Sequence, residues 1–261
     1  MLLCYCNFGT RTKGRELRNI GDMFGPNSWF HLPPINKVLA REFEVYPPRL
    51  VYAQPRLHAQ LKKLLRGTQG FYFEVGANDG LCQSNTAYLE KYQGWRGILV
   101  EPLPMQYRRC VANRPLSTVI NAALVSRDFC AKTVEIAYAN LMSTIDDPQR
   151  NLLSVESHVA TGSQFLTDDD RALSGHRFTV PALTVSAVLD SAAQARVDFF
   201  SLDVEGYEAE VLNGIDFSRH RPRYFLVEAR DKPGIDRFMA ANGYRFTDQW
   251  SEQDFLYTEG A

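Results

Sequence analysis

The stretch FYFEVGANDG, residues 71–80, decides the fold of this chain. A mostly apolar run ends here at two glycines, Gly76 and Gly80, with Asn78 and Asp79 between them. An apolar run that stops at a glycine turn is typical of a strand buried on both faces of a parallel sheet. In such sheets, ligands bind outside the carboxyl ends of the strands, so the turn marks a candidate binding site.

Apolar strands alternate with helical segments from this point to the end of the chain. We expect strands at 71–77, 97–102, 117–125, 197–206 and 224–229, and helices at 55–67, 83–92, 104–112, 207–214 and 233–242. Two further strands, within 244–250 and 253–259, can pair antiparallel. The pattern predicts an α/β fold, with a mostly parallel sheet and helices on both of its faces.

Two parts of the chain depart from this alternation. Residues 1–54 combine prolines with aromatic residues, which predicts an irregular N-terminal arm packed on the rest of the protein. Residues 55–261 form the predicted main domain, because 261 residues suit one large core better than two. Within that domain, 126–180 is an irregular insertion, which we expect to cover the substrate site.

Composition narrows the range of partners. A net charge of -1 argues against broad nucleic-acid binding, which needs a basic surface. The chain has no apolar run of about 18 residues and starts with too short an apolar segment for a signal peptide. We therefore expect a cytoplasmic protein with no membrane partner and a small-molecule or glycan substrate. The aromatic arm is compatible with a homodimer.

Acidic residues around the glycine turn indicate the kind of ligand. Glu74 precedes the turn and Asp79 lies within it, while the G-x-G pair that binds a pyrophosphate is missing. This arrangement would repel a diphosphate and favour a cationic ligand such as S-adenosylmethionine. Glu101 ends the next strand, where an acid accepts hydrogen bonds from ribose hydroxyls. NAD would use the same acid, but its glycine pattern is absent.

A second cluster of acids follows the strand in FFSLDVEGYEAEVLNGIDF, residues 199–217. Asp203 and Glu205 come at the end of a buried run, where a carboxylate requires a ligand, a metal or a basic neighbour. An alternative is that they cap the helix that starts near Tyr207. Glu228 ends the following strand in the same way.

Five stretches together resemble the FkbM family of S-adenosylmethionine-dependent methyltransferases: FEVGANDG, SNTAYLEK, GWRGILVEP, VINAALVS and FFSLDVEGYEAEVLNGID. The resemblance covers roughly residues 70–258, and DVEGYE is its most specific part. It implies a class I methyltransferase, Rossmann-like fold with a seven-stranded sheet in the order 3-2-1-4-5-7-6. It also implies O-methylation of hydroxyls on sugars, glycans or natural products. A catalytically inactive interaction protein with this fold is the alternative.

The resemblance also implies roles for individual residues. The implied donor-binding residues are Glu74, Gly76, Asn78, Asp79, Gly80, Ser84, Glu101, Pro102, Asn121, Ala122, Ser143 and Asp203. Ser84 is explained equally well by a helix start.

The implied catalytic residues are Asp203, Glu205 and Glu228. In one hypothesis, a divalent ion such as Mg²⁺ lies between Asp203 and Glu228 and binds the substrate hydroxyls. In the other, no metal binds and Asp203 or Glu205 is the base, while Arg230 or a lysine neutralises the other acid. His176 is a reserve base only.

Overall fold

The computed structural model describes residues 55–67, 69–139, 142–147, 155–162, 176–194 and 196–260. These residues all belong to one compact unit. The predicted arm, residues 1–54, lies outside them, as do parts of the predicted insertion at 126–180.

The described residues form helices and strands that alternate along much of the chain. The helices are α1 Pro55–Leu64, α2 Ala87–Gln93, α3 Pro104–Asn113, α4 Val155–Gly162, α5 Val185–Ser191, α6 Glu208–Asn213 and α7 Lys232–Ala241. The strands are β1 Phe71–Val75, β2 Arg96–Val100, β3 Thr118–Ile120, β4 Ala123–Leu124, β5 Thr133–Ala137, β6 Thr144–Ile145, β7 Arg177–Leu183, β8 Phe199–Leu202, β9 Tyr224–Glu228, β10 Tyr244–Gln249 and β11 Asp254–Glu259. No helix in these ranges is long and apolar enough to cross a membrane.

Seven strands form the central sheet, in the order β10-β11-β9-β8-β1-β2-β3. The five strands β3, β2, β1, β8 and β9 are parallel to one another, whereas β11 runs antiparallel to both β9 and β10. Counted in chain order within this sheet alone, the arrangement is 3-2-1-4-5-7-6. The sheet is therefore mixed, and its last two strands pair antiparallel as the sequence indicated.

Alternation of side chains along β1 explains why both faces of the sheet are covered. Tyr72 and Phe73 are both fully buried but belong to different hydrophobic clusters, because successive residues of a strand point to opposite faces. Phe73 stacks on Phe200 of β8, with ring centroids 5.0 Å apart. On the other face, Leu57 and Leu61 of α1 contribute to the cluster that contains Tyr72. The predicted helix in 55–67 is confirmed.

A second sheet of four strands, in the order β4-β7-β5-β6, was not predicted. The strand expected at 117–125 is divided, because β3 pairs with β2 in the central sheet and β4 pairs with β7 in the second. Val134, Ile136 and Val180 of this sheet belong to the same core cluster as Phe73. The part of the predicted insertion that the structure describes thus contributes strands to this second sheet, which packs on the core.

Candidate active site

A cleft lies at the carboxyl ends of β1, β2 and β8, where the glycine turn was expected to meet a ligand. It holds about 920 Å³ of space, including the open solvent at its mouth. Eight of the residues singled out in the sequence line it: Gly76, Asn78, Glu101, Pro102, Ala122, Ser143, Asp203 and Glu205. The second sheet also contributes to the wall, through Ile136 of β5 and Thr144 and Ile145 of β6.

Gly76 allows the ends of β1 and β8 to touch through their backbones. Its φ is +81°, and a Cβ added there would lie 1.8 Å from the carbonyl oxygen of Asp203. The backbone N–H of Asp203 donates to the carbonyl of Val75 at 3.2 Å. Only glycine fits this position, because any side chain would separate the two strand ends that form the floor of the cleft.

Glu101 is a buried carboxylate that lines the cleft. Its Oε2 accepts a hydrogen bond from the backbone N–H of Asn78 at 2.8 Å, and its Oε1 accepts one from Leu103, also at 2.8 Å. Burial raises the pKa of Glu101 to about 7, although these two N–H groups act in the opposite direction. Each oxygen keeps a second lone pair, so the group can still accept hydrogen bonds from two hydroxyls of a ligand.

Glu74 does not line the cleft, which corrects its expected contact with the donor. Its carboxylate accepts hydrogen bonds from Ser84 Oγ at 2.9 Å, Asn85 N at 2.8 Å and Thr86 Oγ1 at 2.5 Å. The nearest nitrogen of Arg114 lies 3.6 Å away. The carboxylate therefore faces the loop before α2, and this loop replaces the first turn of the helix predicted at 83–92.

Ser84 is part of the same buried network and does not line the cleft. Its Oγ accepts hydrogen bonds from the backbone N–H of Thr86 and Ala87, at 3.3 and 3.1 Å. Of the two explanations given by the sequence, the structure places Ser84 at the start of the helix. The predicted contact with the donor is not supported by this position.

Asp79 and Gly80 shape the turn without lining the cleft. Asp79 Oδ1 accepts hydrogen bonds from the backbone N–H of Leu81 and Cys82, at 2.9 and 2.7 Å, which closes the turn locally. Gly80 has a φ of +80°, and an added Cβ would lie 2.7 Å from Cγ of Arg114. Both residues were expected to bind the donor, but they are occupied in holding the backbone.

Asn121 and Ser143 hold two edges of the cleft. The side-chain amide of Asn121 donates to the carbonyl oxygens of Glu101 and Pro102, at 2.9 and 2.8 Å, so Asn121 supports the cleft from outside its lining. Ser143 does line the cleft, while its Oγ accepts a hydrogen bond from the backbone N–H of Ala139 at 2.9 Å.

Four carboxyl groups and one guanidinium lie together at the ends of β8 and β9. The carboxyl groups of Asp203 and Glu228 lie next to each other, and Glu205 forms an ion pair with Nη2 of Arg230. Burial, and then the charges of Glu228 and Glu205, raise the pKa of Asp203 well above its usual range. Burial also raises the pKa of Glu228 and of Glu208 to about 7. Two adjacent buried carboxyl groups repel each other when both are charged, so one of them holds a proton.

Asp203 and Glu228 were also the residues expected to bind Mg²⁺. Within the described ranges, no group of three His, Cys, Asp or Glu side chains is arranged to hold a metal ion. Without a third ligand of these types in those ranges, the pair of acids adds no support to the metal hypothesis. The geometry agrees better with the alternative, in which Arg230 neutralises one acid of the cluster.

The sequence interpretation missed Glu208 and Arg114. Glu208 lies two residues after the DVEG turn and is buried. In the sequence it is simply one residue in the first turn of the predicted helix 207–214. Arg114 directly follows α3 and contacts residues that are distant in the sequence, so no local pattern marks it. His176, the reserve base, is exposed and does not line the cleft.

The model of the Methyltransferase FkbM domain matches residues 74–246, about two thirds of the chain. The chain belongs to the FkbM methyltransferase family. Membership supports a methyltransferase with S-adenosylmethionine as the donor. No curated protein shows a significant sequence match.

Several solved methyltransferases are similar in shape to the FkbM chain. The ribosomal protein L11 methylase from Lactobacillus delbrueckii subsp. bulgaricus is 6% identical, with a TM-score of 0.42 and 78% of each chain covered. The precorrin-6y C5,15-methyltransferase from Geobacter metallireducens GS-15 is 10% identical, with a TM-score of 0.40, and 82% of this chain and 92% of that one are covered. Likenesses this weak carry no argument about function.

Proposed function

We propose that the protein is an S-adenosylmethionine-dependent O-methyltransferase that acts on a hydroxyl of a sugar, glycan or natural product. The observation that carries this proposal is the pair of adjacent, buried carboxyl groups of Asp203 and Glu228 beside the cleft, with Glu205 neutralised by Arg230. A hydroxyl is a weak nucleophile at neutral pH and needs a base. An unneutralised carboxyl pair beside the cleft can supply one.

The donor side of the cleft consists of the turn Gly76–Asn78 and the segment Glu101–Leu103. S-adenosylmethionine supplies a methyl group on a sulfonium centre. Glu101 can accept hydrogen bonds from two ribose hydroxyls while it keeps those from Asn78 and Leu103. Apolar side chains of Val100, Leu103, Ala122 and Ile145 offer a surface for a purine ring.

The acceptor side consists of Asp203, Glu205, Glu208, Glu228 and Arg230. With one proton shared, Asp203 and Glu228 together keep one negative charge, so the pair can take up the proton of a substrate hydroxyl. Asp203 contacts the substrate in this proposal, since it lines the cleft and Glu228 does not. Glu228 acts through Asp203: as Asp203 takes up the hydroxyl proton on one oxygen, the proton that it holds on the other passes to Glu228.

The second sheet supports a role of the segment 126–180 in recognising the acceptor. Ile136, Ser143, Thr144 and Ile145 belong to this segment and line the cleft. The acceptor would therefore meet apolar and hydroxyl side chains on one wall and carboxyl groups on the other. This mixture suits a neutral polyhydroxy compound better than a polyanion.

A binding measurement followed by an acceptor screen tests the proposal. We expect S-adenosylmethionine to raise the melting temperature of the full chain, because a ligand that binds only the folded state stabilises it. Transfer of a tritiated methyl group to a library of sugars and glycosides then identifies the acceptor. The reaction should proceed in EDTA. Absence of any thermal shift at saturating donor would favour the inactive interaction protein.

A further inference from the structure

The turn that follows β1 has two sides, and only one of them lines the cleft. Gly76, Asn78, Cys82 and Gln83 line it. On the other side, the turn meets the C-terminal end of α3. We propose that Asn113 and Arg114 are positioning residues for the methyl donor. They hold the turn in its binding geometry without contacting the donor themselves, and this inference rests on the proposed function.

Asn113 fixes the middle of the turn. It is the last residue of α3 and is half-buried, and its side-chain amide donates to the carbonyl oxygen of Asp79 at 2.8 Å. Asp79 in turn accepts hydrogen bonds from Leu81 and Cys82. One amide thus holds the residue around which the whole turn closes.

Arg114 fixes the second half of the turn. Its Nη1 donates to the carbonyl of Gly80 at 2.9 Å and to Ser84 Oγ at 3.0 Å, and its Nη2 donates to Thr86 Oγ1 at 2.9 Å. The guanidinium is fully buried and aligned by Glu90, whose Oε2 accepts from Nε at 3.0 Å. A planar group with fixed donors therefore sets the distance between α3 and the turn.

These contacts bear on the donor through Asn78. Its backbone N–H donates to Glu101, the carboxylate expected to bind the ribose, so movement of the turn changes the hydrogen bonding of that carboxylate. A loosened turn has to be ordered again when the donor binds. The free energy of that ordering makes the free energy of binding less favourable, so the affinity falls. Donor affinity should therefore depend on Asn113, although this residue does not line the cleft.

The test compares Asn113→Ala with Asn242→Ala, which removes a matched bond elsewhere. Asn242 directly follows α7, is half-buried and donates its side-chain amide to the carbonyl of Phe238 at 2.8 Å. Binding of S-adenosylhomocysteine to the full chain is measured by calorimetry, together with melting temperatures. We expect both variants to lose a similar amount of stability, but only Asn113→Ala to raise the Kd, by about fivefold, the worth of one hydrogen bond.

Two further measurements keep the proposal open to refutation. Hydrogen exchange of the Gly80, Leu81 and Cys82 amides should accelerate in Asn113→Ala and not in Asn242→Ala. Arg114→Lys should raise the Kd further if it folds; if it does not, Asn113→Ala alone decides. Should the unmodified chain bind S-adenosylhomocysteine and Asn113→Ala bind it equally well, the positioning role is wrong. Should the unmodified chain not bind, the proposed function fails first.

Discussion

The two sides of the cleft differ in how their buried carboxyl groups are paired. On the side that binds the methyl donor, and behind it, each carboxylate accepts several hydrogen bonds. On the acceptor side, four carboxyl groups share one guanidinium. Glu101 accepts from two backbone N–H groups, and Glu74 from one backbone N–H and two hydroxyls. Only Glu205 of the acceptor side has an ion-pair partner, Arg230, in the part of the chain that the structure describes.

The difference indicates what each region contributes. Carboxylates with several donors fix the backbone around them, so the donor side is organised before any ligand arrives. Carboxyl groups without enough donors repel each other and bind protons more tightly, which is the arrangement that acid–base catalysis uses. Mutations behind the donor side should therefore mainly change stability, and mutations on the acceptor side should mainly change proton transfer.

The largest effect is expected from Asp203→Asn on the acceptor side. An amide cannot accept the hydroxyl proton, so we expect methyl transfer to slow by about 10³-fold. The melting temperature should stay level, because the amide is close in size to the protonated carboxyl group and leaves the charge of the pair unchanged. Asp248→Asn on the exposed strand β10 is the control and should leave the rate unchanged. A normal rate in Asp203→Asn would remove this carboxyl group from the mechanism.

Arg114→Lys should have the largest effect on stability. All five N–H groups of Arg114 donate hydrogen bonds, to Glu90, Gly80, Ser84, Tyr72 and Thr86. A lysine ammonium cannot reach these acceptors together, and buried carboxylates lose their partner. We expect a loss of about 3 kcal/mol in the free energy of unfolding.

Urea denaturation of Arg114→Lys measures this loss, and Arg219→Lys is the matched control. Arg219 also contacts two carboxylates, Asp190 and Asp216, but half of its side chain is exposed. The control should therefore lose less than about 1 kcal/mol. Equal losses in the two variants would contradict the view that the buried network stabilises the turn.

Glu101→Gln tests the donor side itself. A carboxamide has one acceptor oxygen, so its NH₂ group must face either Asn78 N–H or Leu103 N–H. We expect the Kd for S-adenosylmethionine to rise about tenfold, a change of ~1.4 kcal/mol. Calorimetry on this variant and on the exposed control Glu252→Gln measures it. Unaltered donor binding would show that Glu101 does not contact the ribose.

The central strands and the positions of the acids could be predicted because burial leaves a local pattern. β1, β8 and β9 are mostly apolar runs, and the residues after them reach one edge of the sheet whatever the loops do. The second sheet could not be predicted in this way. β5 and β7 alternate buried with exposed residues, and they pair with segments whose positions only the folded chain defines.

The direction in which a side chain points at a strand end could not be predicted from the sequence either. Glu74 and Glu101 both lie near the carboxyl end of a strand, but Glu74 is inside β1, beside Leu99, and faces a loop, whereas Glu101 follows β2 and lines the cleft. The loop that Glu74 faces is held by Arg114, which is 24 residues from Glu90 and 42 from Tyr72. Contacts between residues so far apart in the sequence leave no periodic signal. No local pattern could therefore show whether Glu74 contacts the donor.

The smallest expected effect is a pH dependence of stability, to which the donor side contributes through Glu101 and the acceptor side through Glu208 and Glu228. The pKa of Glu208 and of Glu228 is raised by burial to about 7 in the folded protein, above the value of 4.5 for an exposed glutamate. Between these values the folded state binds more protons than the unfolded state, so stability falls as the pH rises through 7. We expect the melting temperature to be higher at pH 6 than at pH 8 by about 2–4 °C, the shift that corresponds to ~1 kcal/mol.

Glu208→Gln should reduce this difference between pH 6 and pH 8. The amide oxygen of the variant can still accept the hydrogen bond from the backbone N–H of Gly206, which is 2.7 Å long in the native protein, so the turn before α6 stays in place. Differential scanning calorimetry at both pH values measures the effect, and Glu252→Gln is again the exposed control. An unchanged pH dependence in Glu208→Gln would mean that the charge on this group is compensated, and the contrast between the two sides of the cleft would lose its electrostatic basis.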